Sequence, residues 1–238
     1  RNTISLQKGA SLDVSGRDNF VKTAGSEHVN LVGDGSSMTL QSAYGSVTLK
    51  ASHQTVTMGQ GTLTLGNDLV GETLVGIPMS GLPGQIILTF VTAGTDDEVT
   101  FQNAGVYYHG GARNAIHVLS GSYDYITVGD DSHVDATGTE SGTLSITATH
   151  STIILSGAGY GSVDGSNDTI TLSHTQNVGV NGKHQTVTGS TSSISIDGDD
   201  NVATLEDGAT IYVGNGSGTV VNASHATIQT DASAATFN

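Results

Sequence analysis

The chain has 238 residues, a length that suits one large domain or one elongated array of repeats. Its 22 acidic residues against 7 basic ones give a formal net charge of -15, which disfavours nucleic acid and anionic lipid as partners, because neutralising phosphate requires clustered Lys and Arg. The absence of cysteine excludes a disulfide scaffold and a zinc site built on sulfur, and no apolar run approaches the ~18 residues of a transmembrane helix.

A short apolar–polar–apolar tripeptide recurs through residues 1–65. Its two apolar residues are expected to point inward and its middle residue outward, because side chains alternate along a strand. A strand this short is stable only when it pairs with its own neighbours, so the repetition predicts stacked coils. The first apolar residue recurs every seven to nine positions, at Ile4, Leu12, Phe20, Val29, Met38, Val47, Val56 and Leu63.

The rhythm lapses across residues 66–115. This stretch holds both prolines, Pro78 and Pro83, and two longer strand-like runs at 85–91 and 98–101. Two interpretations stay open for it. It forms larger, irregular coils of the same array, or it is an inserted hairpin or small sheet packed on the side.

The rhythm returns at Ile116 and continues through residues 116–238. His150, Asn167 and His184 each stand just before a predicted strand and are spaced by 17 residues, so one coil is predicted to hold two strands and two tight turns in 17–18 residues. The later first apolar positions are Leu144, Ile153, Val163, Ile170, Val178, Val187, Ile194, Val202, Ile211, Val220 and Ile228.

The predicted fold is therefore an all-β, parallel β-solenoid of the β-helix or β-roll kind, with two sheets around a thin core. Residues 1–65, 66–115 and 116–238 are expected to form one continuous domain. Gly-Asp, Asn-Gly and Asp-Gly pairs stand where tight turns need a positive φ. Asn, Asp and His at the corners are expected to stack as ladders that hydrogen-bond the backbone of the next coil.

Acidic residues crowd several predicted turns. Ca2+ requires about six to eight oxygen ligands, which stacked turns can supply from adjacent coils. Residues 165–170 resemble half of the calcium-binding nonapeptide of secreted toxins, but the full Gly-Gly-x-Gly-x-Asp-x-apolar-x unit is absent. Calcium sites and solvated turns both stay open. The candidate metal ligands are Asp164, Asp168, Asp197, Asp199 and Asp200.

The irregular stretch holds the candidate ligand-binding residues. Aromatic, acidic and basic side chains lie close together there in the sequence, which suits a site for glycans or, in a β-helix enzyme, a cleft that cuts or epimerises acidic polysaccharides. No nucleophile elbow, phosphate loop or metalloprotease motif is present, and the chain is expected not to be an enzyme. The candidates are Asp97, Tyr107, Tyr108, His109 and Arg113.

Ice binding is a further alternative, because flat arrays of Thr on a solenoid face can order water. The outward row expected on one face comprises Ile154, Thr171, Thr188 and Val221. That row is chemically irregular.

Two stretches, residues 165–172 and 182–189, read Gly-Ser-Asn-Asp-Thr-Ile-Thr-Leu and Gly-Lys-His-Gln-Thr-Val-Thr-Gly. They resemble repeats of large exported bacterial β-solenoid proteins, the adhesins and haemagglutinin-type passengers and, more loosely, the toxin-repeat proteins. The resemblance covers roughly residues 1–65 and 116–230 and implies an extracellular or cell-surface role. The expected function is structural: an adhesin or a filament and biofilm-matrix subunit that associates end to end or belongs to a larger parent chain.

Overall fold

The computed structural model describes residues 3–7, 9, 11–23, 28–40, 45–58, 61–76, 88–102, 105–120, 123–137, 143–231 and 234–238. Every regular element in that part of the chain is a β-strand. The N-terminal strands are β1 (Thr3–Leu6), β2 (Ser11–Val14), β3 (Phe20–Thr23), β4 (His28–Leu31), β5 (Ser37–Leu40), β6 (Gly45–Leu49), β7 (Thr55–Met58), β8 (Gly61–Leu65), β9 (Glu72–Gly76), β10 (Leu88–Thr92), β11 (Glu98–Gln102) and β12 (Gly105–His109).

The remaining strands follow at similar intervals. They are β13 (Ala115–Ser120), β14 (Tyr123–Thr127), β15 (His133–Thr137), β16 (Thr143–Thr149), β17 (Thr152–Ser156), β18 (Tyr160–Ser166), β19 (Thr169–Lys183), β20 (Thr186–Asp197), β21 (Val202–Leu205), β22 (Thr210–Val213), β23 (Ser217–Ala223), β24 (Thr227–Thr230) and β25 (Ala234–Phe237).

The strands wind into a parallel β-solenoid of about 12 turns, which confirms the predicted fold. Each strand up to β17 pairs in parallel with the strand two places along, so odd strands form sheet 1 and even strands form sheet 2. The long strands β19 and β20 run through both sheets. Sheet 1 then continues with β21, β23 and β25, and sheet 2 with β22 and β24.

The core is a set of inward rows, in which equivalent apolar residues of successive coils stack on one another. One such row of sheet 2 comprises Val29, Val47, Leu63 and Val91, all of them buried. Thr, Ser and Asn take the alternating outward positions, as the tripeptide pattern predicts. Each buried aliphatic side chain contributes roughly 1.5–3 kcal/mol, so the stack is held mainly by apolar burial between coils.

Three of the expected inward residues point outward instead. Phe20, Val202 and Val220 lie in outer rows, while the residue after each of them is buried. Val221 is therefore a core residue, and its place in the expected ice-binding row was wrong; Thr204 and Asn222 follow Thr188 in that row. Because strand side chains have a period of two, a one-residue error moves every side chain to the other face.

One corner has the same conformation in twelve coils. In each of these coils, a residue at the corner between sheet 2 and sheet 1 adopts the left-handed conformation, with φ between 51° and 76°. We call these residues the left-handed corner. They are Asp18, Gly35, His53, Gly71, Asp96, Arg113, Asp131, His150, Asn167, His184, Asp200 and Gly218.

The residue after each left-handed corner is polar and buried. We call these residues the polar ladder: Asn19, Ser36, Gln54, Glu72, Asp97, Asn114, Ser132, Ser151, Asp168, Gln185, Asn201 and Thr219. From Asp97 to Gln185, the backbone N–H of each member donates to the side chain of the member one coil further along, at distances of 2.8–3.2 Å. A ladder of polar side chains is thus present, but it is formed by the residues that follow the expected corner residues: His150, Asn167 and His184 are themselves exposed.

The coil that contains β9 joins two registers. Its corner has two left-handed residues, Asp68 and Gly71. The N–H of His53, in the coil below, donates to the carbonyl of Val70 in this corner, whereas the N–H of Asp68 donates to the carbonyl of Thr95 in the coil above. As a result the ladder residue Glu72 lies beside Val99, a core residue, and we call this coil the register fault.

The stretch 66–115 continues both sheets in its described part. β8 pairs with β10, β9 pairs with β11, and both partners pair onward into the later coils. The coil here is longer than its neighbours, because Gly61 pairs with Thr89 whereas Gly45 pairs with Gly61. Residues 77–87, which include both prolines, lie outside the described residues.

We expect Asn114→Leu to lower the free energy of unfolding by about 2–4 kcal/mol, because it leaves the N–H of Asp97 buried without a partner and removes the hydrogen bond from Asn114 to the buried hydroxyl of Tyr108. Urea unfolding followed by circular dichroism measures this loss. Thr127→Ala, on the outer face of sheet 2, is the control and should change stability by less than ~0.5 kcal/mol. Equal losses in the two variants would contradict a structural role for the ladder.

Candidate functional site

Three aromatic rings stack on the outer face of sheet 2. Phe90, Tyr107 and Tyr125 occupy equivalent outward positions on β10, β12 and β14, so the coil repeat places them above one another. Their ring centroids are 5.3 and 4.7 Å apart, with interplanar angles of 9° in both pairs. The exposed fractions of the three residues are 54%, 37% and 39%. We call this group the aromatic row.

A groove of about 250 Å³ runs beside the aromatic row. Its other side is lined by Thr92, His109 and Thr127, which occupy the next outward positions of the same three strands. The groove thus combines ring edges with hydroxyl and imidazole groups. Of the residues predicted for ligand binding, the structure brings Tyr107 and His109 to this surface.

Tyr108 points into the core. It is buried, its ring packs edge-on against Phe101 at 5.8 Å between centroids, and its hydroxyl accepts a hydrogen bond from Asn114 at 2.9 Å. Burial raises the pKa of the Tyr108 hydroxyl, and the nearby carboxylate of Asp97 raises it further. Strand alternation separates Tyr108 from its exposed neighbours, so the side chain supports the corner rather than the groove.

Asp97 and Arg113 lie near each other in the sequence but do not form a pair; Arg113 is a left-handed corner residue. Asp97 belongs to the polar ladder, and its carboxylate accepts hydrogen bonds from the N–H groups of Leu69 and Gly94, each at 2.9 Å. Burial raises the pKa of this carboxyl. Arg113 instead makes two bonds of 2.6 Å to Asp96, and this pairing lowers the pKa of Asp96.

The five acidic residues predicted as metal ligands already have protein partners. Asp168 is a ladder residue that accepts from the N–H of Ser151, and Asp164 accepts from Asn181. Asp197 accepts from the N–H of Asn215. The other two form the ion pairs Lys183–Asp199 at 2.8 Å and His184–Asp200 at 3.5 Å. Within the described ranges no group of three or more His, Asp or Glu side chains could hold a metal ion. Calcium binding stays a prediction.

A histidine–carboxylate group on the outer face of sheet 1 escaped the sequence reasoning. His117 lies 4.0 Å from Glu98, between Nε2 and Oε1, and its ring is 6.5 Å from that of His133. Asp135 stands next to His117 in the same outer row. The sequence pattern that could have predicted this group is that His117 and Asp135 occupy the same outward position in consecutive coils.

Two further carboxyl groups, besides those of Asp97 and Asp168, lie inside the solenoid. Glu72, at the register fault, is 1% exposed, and neither of its oxygens has a hydrogen-bond partner in the described structure. Burial raises its pKa to about 7, with a further contribution from Asp97. Asp124 occupies an inward position between Val106 and Leu144, and burial raises its pKa to about 7 as well.

The environment of Glu72 favours its neutral form. Register places Glu72 over Gln54, whose Nε2 donates to the carbonyl of Gly33 and whose Oε1 is unpartnered. A protonated carboxyl has an O–H to offer to such an oxygen, whereas an ionised one adds a second set of unpaired acceptors. The register fault is therefore a buried polar defect whose cost depends on pH.

Comparisons of the chain with protein-family models, curated proteins and solved structures find no match. In the part of the chain that the structure describes, no helix is long and apolar enough to cross a membrane. The assignment of fold therefore rests on the strands and their register alone.

We expect Glu72→Gln to stabilise the protein at pH 8 by up to about 3 kcal/mol and to have little effect at pH 5. The folded pKa of about 7 exceeds the ordinary 4.5, so the stability linked to the proton is fully present below about pH 4.5 and is lost as pH rises through about 7. Unfolding in urea at pH 5, 6, 7 and 8 measures the profile. Glu206→Gln, at an exposed site, is the matched control. A Glu72→Gln profile parallel to that of the unaltered chain would contradict a buried, neutral Glu72.

Proposed function

We propose that this chain is a structural segment of an exported bacterial surface or matrix protein, acting as a rod built from stacked coils. The observation that carries the proposal is the continuity of both sheets from the first described coil to the last. With adjacent strands spaced by roughly 4.8 Å, about 12 turns make a rod of roughly 55–60 Å.

The two end coils support lengthwise extension of the rod. In the described structure β1 pairs with β3 alone and β2 with β4 alone, and at the other end β24 and β25 likewise have one partner each. Apolar residues packed against the core but only partly buried gather at these ends. They include Ile4, Leu6 and Leu12 in the first coil, and Ile228 and Ala235 in the last.

Another coil stacked on either end would pair the open edges and cover these apolar side chains. Parallel stacking continues both sheets without a change of register, and a head-to-tail contact that does not close on itself produces a filament. The same surfaces serve equally for further coils of a longer chain. The adhesin or biofilm-matrix role is the use of such a rod that best fits the repeat resemblance and the absence of cysteine.

We expect the purified chain to form filaments that lengthen with concentration, visible by negative-stain electron microscopy and by sedimentation. Ile228→Lys should raise the concentration needed for filaments at least tenfold, because it places a charge in the end-to-end contact. Thr227→Lys, the exposed neighbour in the same strand, is the control.

The outcome separates two forms of the proposal. Filaments that disappear in Ile228→Lys but persist in Thr227→Lys support self-stacking. Single rods at every concentration in all three proteins contradict self-stacking and leave the lengthwise contact to a longer parent chain. Circular dichroism of each variant checks that the coils remain folded.

A further inference from the structure

The aromatic row is the exposed apolar surface whose geometry is most organised. Phe90, Tyr107 and Tyr125 lie in consecutive coils of sheet 2, nearly parallel to one another. In the described ranges no other pair of surface Phe or Tyr rings is stacked, and Tyr160 on the same sheet is 60% exposed without a ring neighbour. Three parallel rings along the rod axis therefore form a distinct recognition surface.

The stacking determines which part of each ring is free. The central ring, Tyr107, has both faces covered by its neighbours, and each outer ring has one face covered. A sugar packs against an aromatic side chain through the ring face, so the row is poorly suited to glycans. The exposed edges form a continuous apolar strip along the row, against which a flat molecule can pack by dispersion.

The groove beside the row is lined by residues of three consecutive coils. Successive outward positions on one strand lie roughly 7 Å apart, and three coils extend roughly 10 Å along the axis. The wall formed by Thr92, His109 and Thr127 supplies hydrogen-bonding groups along the same length. A planar molecule inserted lengthwise would contact all three ring edges at once.

Charge selects among planar ligands. The chain carries a formal net charge of -15, and no Lys or Arg lines the groove. The field of the protein therefore attracts a cation and repels an anion, most strongly at low ionic strength. The groove offers no Lys or Arg to pair with the phosphate of a planar molecule such as a nucleotide.

We propose that the aromatic row and its groove bind an elongated, planar aromatic cation, which lies along the rod axis with its face against the three ring edges. This site is independent of the structural role, because it lies on the side of the rod and needs neither end.

The test uses thioflavin T, a planar aromatic cation, as the probe. We expect saturable fluorescence enhancement with one dye per chain, and Tyr107→Ser should weaken binding at least tenfold, because it removes the central ring and both stacks. Tyr107→Phe should restore binding to within about twofold, since the ring is retained. Tyr160→Ser is the matched control and should bind like the unaltered chain.

All titrations are made in the Ile228→Lys background at concentrations where sedimentation shows single rods, so that filament growth cannot supply the dye site. Undiminished binding by Tyr107→Ser, or an equal loss in Tyr160→Ser, would overturn the proposal. Equal affinity for the anionic dye 8-anilinonaphthalene-1-sulfonate would refute the charge preference. Displacement of thioflavin T by neutral oligosaccharides would reassign the groove to glycans.

Discussion

The hydrogen bond from each inward-pointing corner N–H to a polar side chain one coil further along is the constraint on which the rest of the solenoid depends. The left-handed residue turns the chain so sharply that the next residue faces the core, where its N–H cannot reach water. A buried amide without a partner costs about 1–3 kcal/mol, and the chain would incur that cost once per turn. From Asp97 to Asn201 the side chain of one ladder residue satisfies the N–H of the residue below it. The coil length stays within 16–19 residues there, because every corner must meet the next.

The register fault shows what happens where this chain of bonds ends. Leu69 takes the ladder position beneath Asp97 and donates its N–H to the carboxylate of Asp97. Its own side chain is apolar and has no hydrogen-bond acceptor for the coil below. Below it, Glu72 and Gln54 retain buried oxygens without partners. The large core residues Phe101 and Tyr108 lie in the coils just above. The unpartnered oxygens of Glu72 and its raised pKa are thus consequences of one change of register.

The repeat could be predicted from the sequence, because apolar residues alternate with a period of two along each strand and the strands recur every 17 residues or so. This combination leaves few alternatives to stacked parallel strands. Direction was ambiguous only where two apolar residues adjoin, as at Phe20-Val21 and Val220-Val221, since either can be the inward one. The aromatic row was within reach, because Phe90, Tyr107 and Tyr125 are spaced by one coil, but the position of Phe90 could not be assigned across a coil of irregular length. The sequence predicts Asp97 and Tyr108 as ligand-binding residues, whereas their burial is decided by the corner and by strand alternation, which composition does not reveal.

These features combine into a rod whose sides and ends have separate chemistry: open strand edges at the ends, stacked rings on sheet 2, and a histidine–carboxylate group on sheet 1. The central claim is that the polar ladder holds the coils from Asp97 to Asn201 in register and is interrupted at the register fault, where Gln54 and Glu72 retain buried oxygens without partners. Amide hydrogen exchange resolved by NMR tests this most directly. The account predicts that the ladder amides from Asp97 to Gln185 exchange only through global unfolding, while the amides of Gln54 and Glu72 exchange much faster. Uniform exchange rates on both sides of the fault would contradict it.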